Sequence, residues 1–291
     1  MQDAFAKYHP AVNFFFFAGA IGAGVLIPHP VYQLAGIVTG LIYYLLLKGP
    51  TGWKLPLSLL PLFCLLTAVN PLFNTAGATP LFHWMGRPYT LEALQYGAAI
   101  AAMFMGMTLW FACYQIVLTG DKFSCLFGNL APSISLILVM VFRLIPNFIR
   151  KAKQLSGARQ AIGMGIAEHD TTRNKLNAGM AVLGALASWA LEGGVVTGDS
   201  MCARGYGADL RSSFMIYRMT GANWSLLAAM AGLLTVVIAA ACGGQMHVSF
   251  DLRYQAAAVS WGWVAYTAYL SIPIALHIKE AIQWHISRSK I

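Results

Sequence analysis

Two arginines carry the recognisable chemistry of this 291-residue chain: Arg159 in "SGARQ" (156–160) and Arg204 in "CARGY" (202–206). Each stands beside small residues, Ala158 before the first, Ala203 and Gly205 around the second. Small flanks let another backbone come close, and a guanidinium offers a planar fork that pairs a carboxylate through two hydrogen bonds. The chemistry they suit is recognition of acidic groups on a partner rather than the making or breaking of bonds. An alanine–arginine pair alone is common and carries little information. The signal lies in its recurrence inside Arg143 to Arg218, a stretch that holds ten of the nineteen basic residues. Two such tips suggest two sockets, on two copies of one partner or on two related subunits. The candidate docking residues are therefore Ala158, Arg159, Gln160, Ala203, Arg204 and Gly205.

The other titratable groups point to no catalytic, cofactor or metal site. Glu92 and Glu192 lie at the edges of apolar segments. An acid inside hydrocarbon is a functional-site hypothesis by default, but a place at a helix end accounts for both more economically. Only Glu168 and Asp170 lie close together among ten acids, which is poor for holding magnesium against phosphates. The seven histidines form no HExxH or other metal-spaced pair. The five cysteines form no CxxC pair and read as buried, inert thiols. Without a G-x-x-x-x-G-K-[ST] loop, this chain is not itself an ATPase.

The elements that must position the arginines follow from composition. The chain is 58% hydrophobic and 10% charged, against about 25% charged in soluble domains, so an all-α integral membrane protein is expected. Six apolar stretches, 11–27, 31–47, 53–69, 92–119, 222–243 and 257–276, approach the roughly 20 residues that cross a bilayer. Glycines 19, 22 and 24 offer the first of them a smooth packing face. The formal charge of +9 suggests nucleic acid, but the cations avoid the spans and gather in particular loops, the pattern that orients membrane proteins. With six spans, only Arg87 and Arg253 of the nineteen basic residues fall outside, leaving seventeen on the cytoplasmic side with both termini. Three regions result: membrane helices over 1–122, a cytoplasmic coupling region over 123–220, and membrane helices with a short tail over 221–291.

The middle region is basic yet not polar throughout. "PSISLILVMVF" (132–142) is too short to span, and "LNAGMAVLGALASWALEGG" (176–194) is rich in alanine and glycine. Both read as helices along or just beneath the membrane. A helix beginning near Arg143 gathers Ile145, Phe148, Ile149, Ala152 and Leu155 on one face, with Arg143, Arg150, Lys151 and Lys153 on the remainder. That arrangement suits anionic headgroups or a route down to a cytoplasmic partner. Arg159 falls on the apolar stripe if the helix continues through Gly157. Met180, Leu183, Leu186 and Trp189 recur at helical spacing and are expected to bury against neighbouring helices.

Across almost its whole length the chain resembles the transmembrane T component of energy-coupling factor (ECF) importers of vitamins and metal ions. The resemblance is carried by the order and spacing of "YHPAVNFFFF", "PHPVY", "NPLFNTAGATPLF", "YTLEALQYG", "DKFSCLFGNLAPSISLILVMVFRLIPNFIRKAKQL" and "ARGYGADLRSSF". It implies long cytoplasmic coupling helices ending in X-Arg-X motifs, with Arg159 and Arg204 docking into grooves on two ATPase subunits. It implies further partners, a small membrane-embedded substrate-binding S component and the lipid bilayer, and no nucleic acid. The first motif departs from the second in lacking a following glycine, and Cys202 stands where the family often carries an acid.

The function so implied is that of a plasma-membrane scaffold without enzymatic activity, coupling ATP hydrolysis by separate subunits to substrate uptake. Two rivals differ in what they need. A permease subunit of another ABC importer needs polar residues aligned within the spans, and Asn13, Gln33 and Gln115 are few. A membrane-embedded transferase needs clustered aspartates, which are missing.

Overall fold

The computed structural model describes residues 4–74, 77, 79–84, 87–127, 132–165, 171–207, 217, 219–243, 248–249, 255–256 and 261–288. Among them nine α-helices dominate: α1 (Pro10–Leu26), α2 (Pro30–Lys48), α3 (Lys54–Phe73), α4 (Leu91–Val117), α5 (Gly120–Phe127), α6 (Pro132–Ala161), α7 (Thr172–Ala203), α8 (Gly221–Cys242) and α9 (Gly262–Arg288). Two small antiparallel ribbons interrupt them, β1 (Pro80–Trp84) with β2 (Arg87–Thr90), and β3 (Val248–Ser249) with β4 (Gln255–Ala256). The ribbons depart from the all-α expectation. They occupy the connections after α3 and after α8, where proline-, glycine- and aromatic-containing segments lack helical periodicity.

The chain divides into two compact units, Met1–Phe123 with Tyr217–Ile291, and Ser124–Ile216. In the first, α4 packs on α1, α2 and α3, while α9 packs on α2 and α8. The two opening helices start by one device. His9 and His29 act as N-caps whose imidazole Nδ1 accepts the backbone N–H of Ala11 and Val31, at 3.2 and 3.3 Å. A proline follows each, at the first helical position, where a missing N–H goes unnoticed.

The core of this unit is aromatic. Phe16 stacks on Tyr269 at 5.2 Å between centroids and meets Phe5, Phe17 and Trp110 edge-on at 5.2, 5.3 and 5.6 Å. Such rings need a partner for their polar ends in a dry interior. The Tyr269 hydroxyl donates to the Phe16 carbonyl at 3.0 Å, and Trp110 Nε1 donates to the Gly36 carbonyl at 3.1 Å. Glycines make the room. A methyl group at Gly19 would meet the Tyr269 hydroxyl at 2.2 Å, and one at Gly40 would meet Trp110 Nε1 at 3.2 Å. Gly22, in contrast, faces open space and Gly24 approaches only the Tyr266 hydroxyl, at 3.8 Å. The expected face of glycines 19, 22 and 24 is thus corrected: close approach uses Gly19 in α1 and Gly36 and Gly40 in α2.

Among the described residues, four helical stretches are long and apolar enough to cross a membrane: Pro30–Phe73, which contains α2 and α3, then Leu91–Val117, Thr172–Ala203 and Gly221–Cys242. α1 is apolar but shorter, at 17 residues. α9 begins later than the expected 257–276 and continues through the tail to Arg288. The second unit contains α6 and α7 in contact with each other. Here two expectations change. The segment 132–142 is no separate short helix but the opening of a 30-residue α6 that runs on through Arg143, Pro146 and Gly157. The alanine-rich stretch belongs to a 32-residue α7 that itself meets the length and composition of a membrane span.

Candidate partner-docking site

Both long helices of the second unit end in the same hydrogen-bonded cap. At the end of α6, Gly163 adopts the left-handed conformation (φ 75°), Met164 N–H donates to the Arg159 carbonyl at 2.9 Å, and Gly163 N–H donates to the Gln160 carbonyl at 3.2 Å. At the end of α7, Gly205 has φ 78°, Tyr206 N–H donates to the Met201 carbonyl at 3.0 Å, and Gly205 N–H donates to the Cys202 carbonyl at 3.0 Å. This pair of crossed bonds around a left-handed glycine is a Schellman motif. It satisfies carbonyls that the helix leaves without partners.

The two arginines occupy different places in that cap, which corrects the reading of them as one repeated device. Arg204 is the capping residue itself, immediately before the left-handed Gly205, and it is exposed together with Ala203, Gly205, Tyr206 and Gly207. Arg159 lies three residues earlier in its own cap, at the position that Met201 holds in α7, and it is half-buried. Gln160 and Ala158 are exposed, and the residue before Gly163 is Ile162, also exposed. Spacing alone could not show this, because the glycine that closes α6 stands four residues after its arginine. Cations at helix C-termini lie at the negative end of the macrodipole, and neither arginine pairs with a carboxylate among the described residues.

The two helices are joined edge to face at Phe148 and Trp189, with centroids 5.4 Å apart, and the Lys151 ammonium lies 5.8 Å from the Trp189 ring centroid. From this joint Arg159 lies 11 residues along α6 and Arg204 15 residues along α7, about 16 and 22 Å at 1.5 Å per residue. Of the four residues expected to bury in α7, Leu186 is 8% exposed and Trp189 half-buried, whereas Met180 and Leu183 remain 63% and 61% exposed. α7 packs on α6, and among these four residues only Leu186 and Trp189 are covered.

The remaining candidates separate clearly. Glu92 sits in the first turn of α4, where the helix dipole favours an acid. It is buried and accepts the Thr79 hydroxyl at 2.7 Å and the Thr79 N–H at 3.4 Å. Glu192 is no helix-end residue: it stands exposed within α7. Of the cysteines only Cys113 is buried, while Cys125 is intermediate and Cys64, Cys202 and Cys242 are exposed, so the expectation of buried thiols holds for one. Glu168, Asp170 and Arg253 lie outside the described residues, as does the side chain of Arg87.

Gln33 donates to the Gly24 and Ile27 carbonyls at 2.7 and 2.8 Å and so ties α2 to the end of α1, while Gln115 is exposed. Asn13 is fully buried with no partner for either amide atom among the described residues.

Sequence reasoning passed over two cations. Lys122, 6% exposed, donates to the Ala6 and Val117 carbonyls at 2.6 and 2.7 Å, and Lys7 forms an ion pair with Glu280. Together they hold the N-terminal segment against the ends of α4 and α9. Ala6 and Glu280 lie more than a hundred residues away in sequence from Lys122 and Lys7, so no spacing signal marks these ties. No protein-family model matches the chain, and no curated protein matches it significantly.

Proposed function

We propose that this chain is the transmembrane scaffold, or T component, of an ATP-driven importer of the energy-coupling factor type. In this reading α1, α2, α3, α4, α8 and α9 are the six spans, both termini are cytoplasmic, and α6 and α7 are coupling helices. The observation that carries it is Arg204: an exposed guanidinium at the glycine-capped tip of a 32-residue helix, without a carboxylate partner among the described residues. α7 is assigned to the coupling region despite its apolar composition. Its apolar stretch carries Glu192 exposed within it and ends in the exposed Arg204 tip, where the resemblance implies a coupling helix.

The mechanism is mechanical. Two cytoplasmic ATPases hold the arginine tips in acid-lined grooves, and ATP-driven closure displaces them. Because α6 and α7 meet at Phe148 and Trp189, the displacement is levered about that joint. The motion is passed to a separate, small substrate-binding membrane subunit, which reorients and releases its cargo inward. The scaffold's own residues bind and transmit force, and the bond chemistry belongs to the ATPases.

The deciding experiment is a tagged pull-down of the full chain from native membranes with identification of every copurifying protein. Two ATPase subunits and one small, very hydrophobic protein are the expected outcome. Recovery of a lone homo-oligomer overturns the reading.

A further inference from the structure

α6 joins two chemistries in one uninterrupted rod. Up to Ile145 its side chains are apolar apart from Ser133, Ser135 and Arg143, and Ile134, Ile137, Val139, Phe142 and Ile145 are all exposed. From there Arg150, Lys151 and Lys153 follow, with Arg143 just before, and no acid occurs between Asp121 and Glu168. At 100° per residue the four cations occupy an arc of about 160° on the side away from Ile145 and Ile149. None of them pairs with a carboxylate among the described residues.

A helix apolar all round belongs in hydrocarbon or a large core, and a cationic arc opposite an apolar stripe belongs at a membrane surface. The continuity of α6 makes these one statement. Arg150, Lys151 and Lys153 lie five to eight residues beyond Ile145, about 8–12 Å along the axis. That is the distance from the hydrocarbon edge into the headgroup layer. Trp189, a residue type enriched at that level, sits against Phe148 and under the Lys151 ammonium. A soluble acidic protein on the same arc would satisfy the cations but leave the first half of α6 in water. A phospholipid supplies both the tails and the charge.

We propose that α6 is an anionic-phospholipid-binding helix, with Arg143, Arg150, Lys151 and Lys153 holding lipid phosphates while the segment up to Ile145 lies among the acyl chains and Arg143 extends its long side chain to the boundary. The role is separate from docking by Arg204, which is on another helix and outside the arc.

The test uses the full chain in neutral detergent, exchanged against equal amounts of phosphatidylglycerol and phosphatidylcholine with the same acyl chains, with retained lipid counted by native mass spectrometry. Phosphatidylglycerol should be retained preferentially, and the preference should fall as salt is raised. Each cation removed should weaken retention about fivefold. R150Q should therefore lose about that factor, R143Q/R150Q/K151Q/K153Q should lose the preference altogether, and R143K/R150K should keep it. K54Q/K279Q, which removes two cations elsewhere, should change it less than twofold. Soluble glycerol phosphate in excess should not compete, since it lacks tails; full competition would reveal a free-phosphate site and overturn the lipid assignment. Equal retention of both lipids by the wild-type chain overturns the proposal, whatever the variants do. So does an unchanged preference in R150Q or a loss of acidic-protein binding in its place.

Discussion

Phe148 of α6 and Trp189 of α7 meet edge to face, 5.4 Å apart and at 81°. Aromatic pairs of this geometry contribute about 0.5–1.5 kcal/mol beyond the area they bury. Trp189→Ala should therefore weaken the coupling of the two helices, and a double-mutant cycle with Phe148→Ala should return an interaction energy of that order. If the joint transmits force, Trp189→Ala also lowers uptake while ATPase subunits still copurify. Thermal unfolding of the four proteins in detergent gives the first quantity. Wild-type uptake in Trp189→Ala removes the lever.

Gly19 and Gly22 make a sharp contrast on one helix. A side chain at Gly19 meets the Tyr269 hydroxyl at 2.2 Å, a group already bonded to Phe16, whereas Gly22 faces open space. Gly19→Ala should destabilise the first unit by about 1–3 kcal/mol through overpacking. Gly22→Ala should lie within about 0.5 kcal/mol of the parent. Melting temperatures in detergent compare them directly. Equal shifts contradict the close approach of α1 and α9.

His9 gives a pH dependence of known sign. Burial pushes its imidazole below the ordinary value of 6.5, and the neutral ring accepts the Ala11 N–H as a helix cap. The unfolded chain then binds the proton more readily than the folded one. The contribution is fully present above pH 6.5 and is lost as pH falls toward and through the lowered folded value. Stability should decline from pH 7.5 to 5.5, and His9→Asn, which caps without titrating, should flatten that part of the profile. An unchanged slope in His9→Asn assigns the titration elsewhere.

Much of the first unit is legible in the chain itself. Long apolar runs coincide with α1, α2, α3, α4 and α8 to within a few residues, because hydrocarbon length sets a minimum that few other sequences reach. His9-Pro10 and His29-Pro30 mark helix starts in plain view. The second unit is harder for a physical reason. Hydropathy changes midway along α6, at Arg143, and reads as a boundary, yet backbone helicity is indifferent to that change and continues through Pro146. Burial in α7 is equally opaque. Met180, Leu183, Leu186 and Trp189 share helical spacing, but which of them is covered depends on where a single partner helix lies. The cap positions of Arg159 and Arg204 depend on Gly163 and Gly205 taking left-handed backbone, which letters alone do not distinguish from any other glycine.

Arg204 and Gly205 provide the decisive variants. If the guanidinium enters an acid-lined groove, Arg204→Ala leaves carboxylates unpaired, and truncating one side of such a pair costs roughly 2–5 kcal/mol. Arg204→Glu should be worse, because repulsion replaces attraction, and Arg204→Lys intermediate, because an ammonium cannot form the two-pronged contact. Gly205→Val tests the cap: a β-branched residue is strained at φ 78°, so the tip should re-form and ATPase retention should fall although Arg204 is intact. Arg159, half-buried and a turn further back, should respond to alanine less than Arg204 does, and the double Arg159→Ala/Arg204→Ala variant should abolish uptake while the membrane unit still folds. ATPase copurification and uptake, measured across the series, separate docking from a headgroup contact, for which lysine would serve as well as arginine. Full activity in Arg204→Glu sinks the docking role.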